Sequence, residues 1–234
     1  YLQKAKQIVL KRDRKAMQQL LKTAVADFTK LLPKEHIDCP KVGIVGEIFL
    51  KFHPYANQNI ENWLIKNGIE VIPPSLTPFM TQYFVNRDAK LGYKVETSSI
   101  PKPLMKFVYR IVKKEINKYN EIMSQFEYFT PFDEIYELSN HISDILPLIA
   151  QFGEGWALPA EIVSLHKHGA DGVISLQPFG CIANHIISKG VENRLKAVCP
   201  DLALLSLDFD SSVSEVNVEN RLMMLKESII KTKK

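Results

Sequence analysis

Lys41-Val42-Gly43-Ile44-Val45-Gly46-Glu47-Ile48-Phe49, then a helical period from Asn57 to Asn67, then Ile69-Glu70-Val71-Ile72, is the stretch that decides the fold. The first run is nearly continuous in apolar character, as a strand is when both faces of a parallel sheet are covered. The helix carries Ile60, Trp63 and Leu64 on one side, and Gly68 stands where a C′ glycine ends a helix. Between them, Lys51-Phe52-His53-Pro54-Tyr55-Ala56 reads as a polar-aromatic loop, and Pro73-Pro74 ends the second strand. Strand, helix and strand at this spacing make a right-handed crossover, hence parallel pairing and the α/β class.

Toward the carboxyl end the pattern repeats. A helix starts near Leu158, with Pro159 in its first turn, and ends at Gly169. The third strand, Gly172 to Leu176, runs into Gln177-Pro178-Phe179-Gly180-Cys181-Ile182-Ala183-Asn184-His185 and a helix to about Val198, interrupted by Gly190. The fourth strand is Leu202 to Leu207. After Asp208-Phe209-Asp210-Ser211-Ser212, a capping-box pattern from Ser212 to Glu215 opens a last helix with Val218, Leu222, Leu225 and Ile229 as its stripe. Four parallel strands with the first near the middle predict a flavodoxin-like three-layer sheet in the order 2-1-3-4.

The remainder is helical in period. Residues 1–37 read as one long N-terminal helix, Leu2 to Leu32, stopped by Pro33. Residues 75–150 read as an insertion after the second strand, with helices from Lys102 to about Gln125 and from Pro131 to Leu146. The α/β domain is then 38–74 together with 151–234.

Composition narrows the function classes. Thirty basic against 26 acidic residues leave +4, with much of the excess in Lys11-Arg12-Asp13-Arg14-Lys15 and Lys231-Thr232-Lys233-Lys234. No continuous basic face interleaved with aromatics points to nucleic acid, and no apolar run reaches transmembrane length. Three cysteines without close pairing fit a reducing compartment, here the cytoplasm. A chain opening at Tyr1 in mid-helix pattern reads as a piece of a longer protein.

Parallel strands give every connection a side. Glu47, the Phe52-His53-Pro54 loop, Gln177 to His185, and Asp208 to Ser211 should meet at the carboxyl edge, where open α/β sheets bind ligands. Cys39 and Cys199 precede strands and belong to the other edge. Cys181 therefore stands alone, at a turn and a helix start whose dipole favours a thiolate. An ordinary buried cysteine is the competing reading. No C-x-x-C occurs, so this chain does not supply a cysteine-only metal site by itself. Cys181 and His185, four apart, suggest a nucleophile pair, against a helix-packing histidine. Gly153-Glu154-Gly155-Trp156 permits close backbone approach to a ligand or marks a simple turn. Asp208 and Asp210 alternate in direction and read as caps and turn formers. Neither a phosphate-binding P-loop nor a dinucleotide-binding glycine motif follows the first strand.

Several of these segments together are similar to a family. The run Val42 to Ile48 with Asn57 to Gly68 and Ile69-Glu70-Val71, then Gly153-Glu154-Gly155-Trp156, then Gln177-Pro178-Phe179-Gly180-Cys181 with Asn184-His185 and Lys189-Gly190, and last Asp208-Phe209-Asp210 with Ser214-Glu215-Val216-Asn217 and Asn220-Arg221 resemble the acyl-CoA dehydratase activase-related proteins. The carboxyl-terminal parts of those proteins resemble the D-component, or small subunit, of 2-hydroxyglutaryl-CoA dehydratase. The resemblance covers most of the chain from about Lys41. It implies anaerobic redox chemistry with a [4Fe-4S] cluster held by cysteines at the carboxyl edges of paired α/β domains and reduced by an activator ATPase. Cys181 is the one position matching a metal ligand. Gln177, Asn184 and His185 would tune the site; Glu47, Gly153, Glu154, Gly155, Trp156, Pro178, Phe179 and Gly180 would line its cleft. The implied partners are the rest of the polypeptide or a homologous subunit, the activator, and an acyl-CoA substrate. A non-catalytic domain docking to the activator or a dehydratase subunit is the alternative, and thiol acyl transfer through Cys181 and His185 a third.

Overall fold

The computed structural model describes residues 1–33, 38–97 and 100–232. Lys233 and Lys234 of the basic end, and the domain boundary at residue 37, lie outside the described residues. In chain order the elements begin with α1 (Leu2–Lys11), α2 (Arg14–Thr29), β1 (Lys41–Gly46), α3 (Ile48–Phe52), α4 (Ile60–Lys66) and β2 (Glu70–Ile72). Then come α5 (Thr77–Gly92), α6 (Lys102–Met123), α7 (Ile135–Asn140), α8 (Ala157–Lys167) and β3 (Gly172–Pro178). A π-helix (Ala183–Ser188), a 3₁₀ turn (Lys189–Val191), α9 (Glu192–Val198), β4 (Ala203–Phe209) and α10 (Glu215–Thr232) complete it.

The sheet is four-stranded, wholly parallel and ordered β2-β1-β3-β4, as the sequence predicts. Alternation sorts its side chains onto two faces. Val42, Ile44, Ile174, Leu176 and Leu207 pack with Ile60 and Leu64 of α4 and with Leu222, Leu225 and Ile229 of α10. On the other face α8 lies so close to β1 that a Cβ on Gly43 would sit 2.6 Å from Leu165 Cδ1. Each fully buried aliphatic side chain contributes roughly 1.5–3 kcal/mol, and the central strands are lined with them.

Where β1 ends, Gly46 adopts φ +127°, and a Cβ there would lie 2.0 Å from the Leu176 carbonyl oxygen. Only glycine permits this approach. The next residue uses it: the Glu47 amide donates to that same carbonyl at 2.9 Å.

The chain divides into two compact units. Residues 38–98 and 133–234 form the sheet unit, which includes α5 and α7. These two helices pack on each other and on α8, so only 99–132 of the expected 75–150 insertion separates from the sheet. The helical unit, residues 1–37 and 99–132, consists of α2 packed on α1 and on α6, with Ala24, Val25 and Ile122 buried. Charge follows this division. The helical unit holds 15 basic and 6 acidic residues, or +9, while the sheet unit holds 15 and 20, or −5. The basic excess is thus not confined to the chain ends: six cations lie on α6 alone.

Other expectations need correction. The N-terminal helix is two helices, because Arg12 turns left-handed (φ 54°) and the Asp13 carboxylate caps a new start by accepting from the Ala16 amide at 2.9 Å. The first strand ends at Gly46 rather than Phe49, and residues 48–52, expected as the strand's end and the start of a loop, are helix, since Glu47 caps them through the Leu50 amide. The helix expected from Pro131 to Leu146 is the single turn-and-a-half of α7. Ser212 does not cap α10; its amide and hydroxyl both donate to Asp210 Oδ1 at 2.7 Å, forming a separate turn ahead of the helix.

Candidate functional site

The strand order reverses between β1 and β3, and the segments leaving their carboxyl ends face one another there. Leu176, near the end of β3, holds them in place. Its carbonyl accepts the Glu47 amide and, at 3.3 Å, the Asn184 Nδ2. Gly180 turns the chain with φ +81°, and the Cys181 amide closes the turn on the Pro178 carbonyl at 3.1 Å. The thiol then emerges half-buried at the sheet edge.

Around it lies a polar network. Asn184 is fully buried; with Nδ2 donating to Leu176, its Oδ1 faces the Cys181 Sγ and accepts from it at 3.1 Å. This geometry suits a protonated thiol. His185 Nε2 lies 2.9 Å from Asp208 Oδ1, and its Nδ1 lies 3.2 Å from the Cys181 main-chain oxygen. Both neighbours are acceptors, so the imidazolium makes both bonds and the neutral ring one. Neither ring nitrogen bonds the thiol, which removes the geometric support for a Cys181–His185 nucleophile pair. Gln177, also fully buried, donates Nε2 to Asp208 Oδ1 at 2.5 Å. Lys189 Nζ approaches Asp208 Oδ2 at 4.0 Å. Asp208, expected to be a cap or turn former, is instead the hub of this network. Asp210 does form a turn, and its bonds from Ser212 hold its carboxyl below the ordinary range.

The glycine segment reaches the same place from another direction. Gly153 and Gly155 both have positive φ, and a Cβ on Gly155 would lie 2.3 Å from the Ala150 carbonyl oxygen. A Cβ on Gly153 would be in contact with Ala183, at the start of the π-helix. Trp156, expected to line the cleft, is wholly buried and anchors α5 by donating Nε1 to Asn86 Oδ1 at 2.7 Å. Glu154 is buried too, whereas Phe179 is exposed, its ring edge-on to His185 at 6.3 Å.

Sequence reasoning missed a buried ion pair. Lys51 of α3 places its Nζ 3.4 Å from Glu161 Oε2 of α8, and the lysine side chain is 1% exposed. Burial pushes the Glu161 carboxyl up, Lys51 opposes this, and Glu154 adds to the rise. The signal was a single lysine between Leu50 and Phe52, which reads as the start of a solvated polar-aromatic loop.

Cys39 lies before β1 and Cys199 before β4, so neither converges on Cys181; burial raises the Cys199 thiol. Among the described residues no group of three or more His, Cys, Asp or Glu is arranged to hold a metal ion. Cys181 fits a metal as one ligand only, and binding would displace the proton now shared with Asn184. No family model matches the chain, and no curated protein or solved structure matches it.

Proposed function

We propose that this chain is an α/β module of an acyl-CoA dehydratase- or activase-type redox system, acting in the cytoplasm, in which Cys181 gives one thiolate to a [4Fe-4S] cluster. The other ligands come from sequence outside residues 1–234, in the rest of the polypeptide or a homologous subunit. The observation that supports this reading is a half-buried thiol at the switch point of the sheet, on the segment that carries the family resemblance, with a hydrogen-bonded polar network behind it. When bound, the cluster supplies one-electron transfer at low potential, with electrons from an activator ATPase for an acyl-CoA substrate. The residues of this chain do the positioning. Asn184 fixes the thiol, Gly180 lets the turn expose it, and Asp208 anchors His185 and Gln177 beside it. Anaerobic reconstitution of the longer protein tests this: Cys181→Ser is expected to lower bound iron and visible absorbance, and unchanged values for both sink the ligand role.

A docking role has its own supporting observation. On α6, Leu104, Phe107, Val108 and Ile111 are 40–58% exposed at the i, i+3, i+4, i+7 spacing of one helix face. Such a face suits a partner subunit, in keeping with an activator or dehydratase component. Phe107→Glu is then expected to abolish co-purification with that component while leaving the iron content of the reconstituted protein unchanged; retained co-purification counts against it.

A further inference from the structure

We propose that the open edge of β4 is a docking site for an extended segment of another protein, which adds there as a further strand and presents a carboxylate to Arg221. In the order β2-β1-β3-β4 the last strand has a neighbour on one edge only. The Ala203 amide donates to the Asp171 carbonyl, and the Phe209 carbonyl accepts from the Phe179 amide. By the parallel register between them, residues 203, 205, 207 and 209 direct their main-chain groups to β3. Leu204, Ser206 and Asp208 direct theirs outward, and all three residues are partly exposed. Of these outward main-chain groups, only the Ser206 carbonyl has a partner among the described residues: Arg221 Nη2 of α10 donates to it at 2.6 Å. A row of unpaired amides and carbonyls at every second residue is a template that an extended chain satisfies.

A groove of about 290 Å³ runs beside this edge, with Ala203 and Leu205 on the strand side and Arg221, Met224 and Ser228 on the helix side. Met224 is 70% exposed. Alternate side chains of an added strand would enter this groove while its backbone pairs with β4. Charge selects the occupant. Arg221 has no carboxylate partner among the described residues, and the α10 positions in line with it are Asn217, Met224 and Ser228, none of them acidic. A second copy of the chain is disfavoured. Full antiparallel overlap of two β4 strands sets the two-fold axis at Ser206, where the two Arg221 side chains would meet, and like charges placed opposite each other are destabilising. An acidic side chain on a foreign strand meets the same guanidinium with a charge-assisted hydrogen bond instead.

The peptide acetyl-Val-Thr-Glu-Thr-Val-amide, added to the isotope-labelled chain and followed by NMR, tests the site. Saturable shifts and slower hydrogen exchange are expected at the Leu204 and Ser206 amides. Lysine in place of the peptide's glutamate, or N-methylation of every peptide nitrogen, is expected to weaken binding about tenfold or more, the loss for hydrogen bonds of this kind. Arg221→Glu is expected to reverse the preference, so that the lysine peptide binds the tighter, a gain that misfolding does not produce. Four results overturn the proposal: no saturable binding of the glutamate peptide, binding that leaves exchange at Leu204 and Ser206 unchanged, an unaltered preference in Arg221→Glu, or equal binding of the N-methylated peptide. Dimerisation in sedimentation equilibrium that itself protects the Leu204 and Ser206 amides also overturns it, since the occupant is then a second copy.

Discussion

Lys51→Met is expected to destabilise the protein by about 3–5 kcal/mol at neutral pH, because removing one partner leaves the other charge buried. For a chain of this size that is a fall in melting temperature of about 10 °C. The pH dependence follows from Glu161. Burial raises its carboxyl above the ordinary 4.5, and Lys51 is the main influence holding it down. A raised folded-state value means stability that is complete below 4.5 and is lost as the pH climbs through the raised value. Without Lys51 that value moves higher still, so the deficit of the variant should be small at about pH 4 and grow as the pH rises. Thermal melts of both proteins across that range check it, and a deficit that shrinks as the pH rises would contradict the assignment.

Gly46→Ala is expected to cost about 2–6 kcal/mol, combining left-handed strain with a clash that cannot relax. The obstructing atoms are main chain, Leu176 O at 2.0 Å and Leu176 N at 2.6 Å from the added Cβ, and moving them breaks the β1–β3 ladder. Gly68→Ala is the matched comparison. It has φ +75° but open space around it, so it pays the conformational cost alone, about 1–2 kcal/mol. Equal losses for the two variants, measured by denaturant unfolding, would mean that the close approach at Gly46 does not matter.

The sheet was legible because its strands are nearly continuous apolar runs, with few polar residues such as Ser175 and Ser206 inside them, as a parallel sheet with helices on both faces demands. Helix α5 was not legible. Thr81, Gln82 and Arg87 lie on its buried side, so its stripe is broken by polar residues that only tertiary contacts explain. The break between α1 and α2 was written at Asp13, a capping residue inside a charged run that reads as solvated surface. At the site, Gln177, Cys181, Asn184 and His185 share one turn and helix start, and local sequence brings them together. Lys51 and Glu161 are 110 residues apart, and Asp208 is 31 from Gln177. No local pattern links such residues; the β3–β4 register pairs Gln177 with Asp208, and the packing of α3 and α8 against β1 brings Lys51 to Glu161.

The division of charge changes what the isoelectric point near 8.8 means. It is an average that neither unit possesses. At neutral pH one part of the polypeptide is a polycation and the other a polyanion. Added salt weakens the attraction of the first to an acidic surface and, equally, the repulsion of the second from it. On an ion exchanger the protein should therefore be retained according to which unit meets the resin, not according to its formal +4.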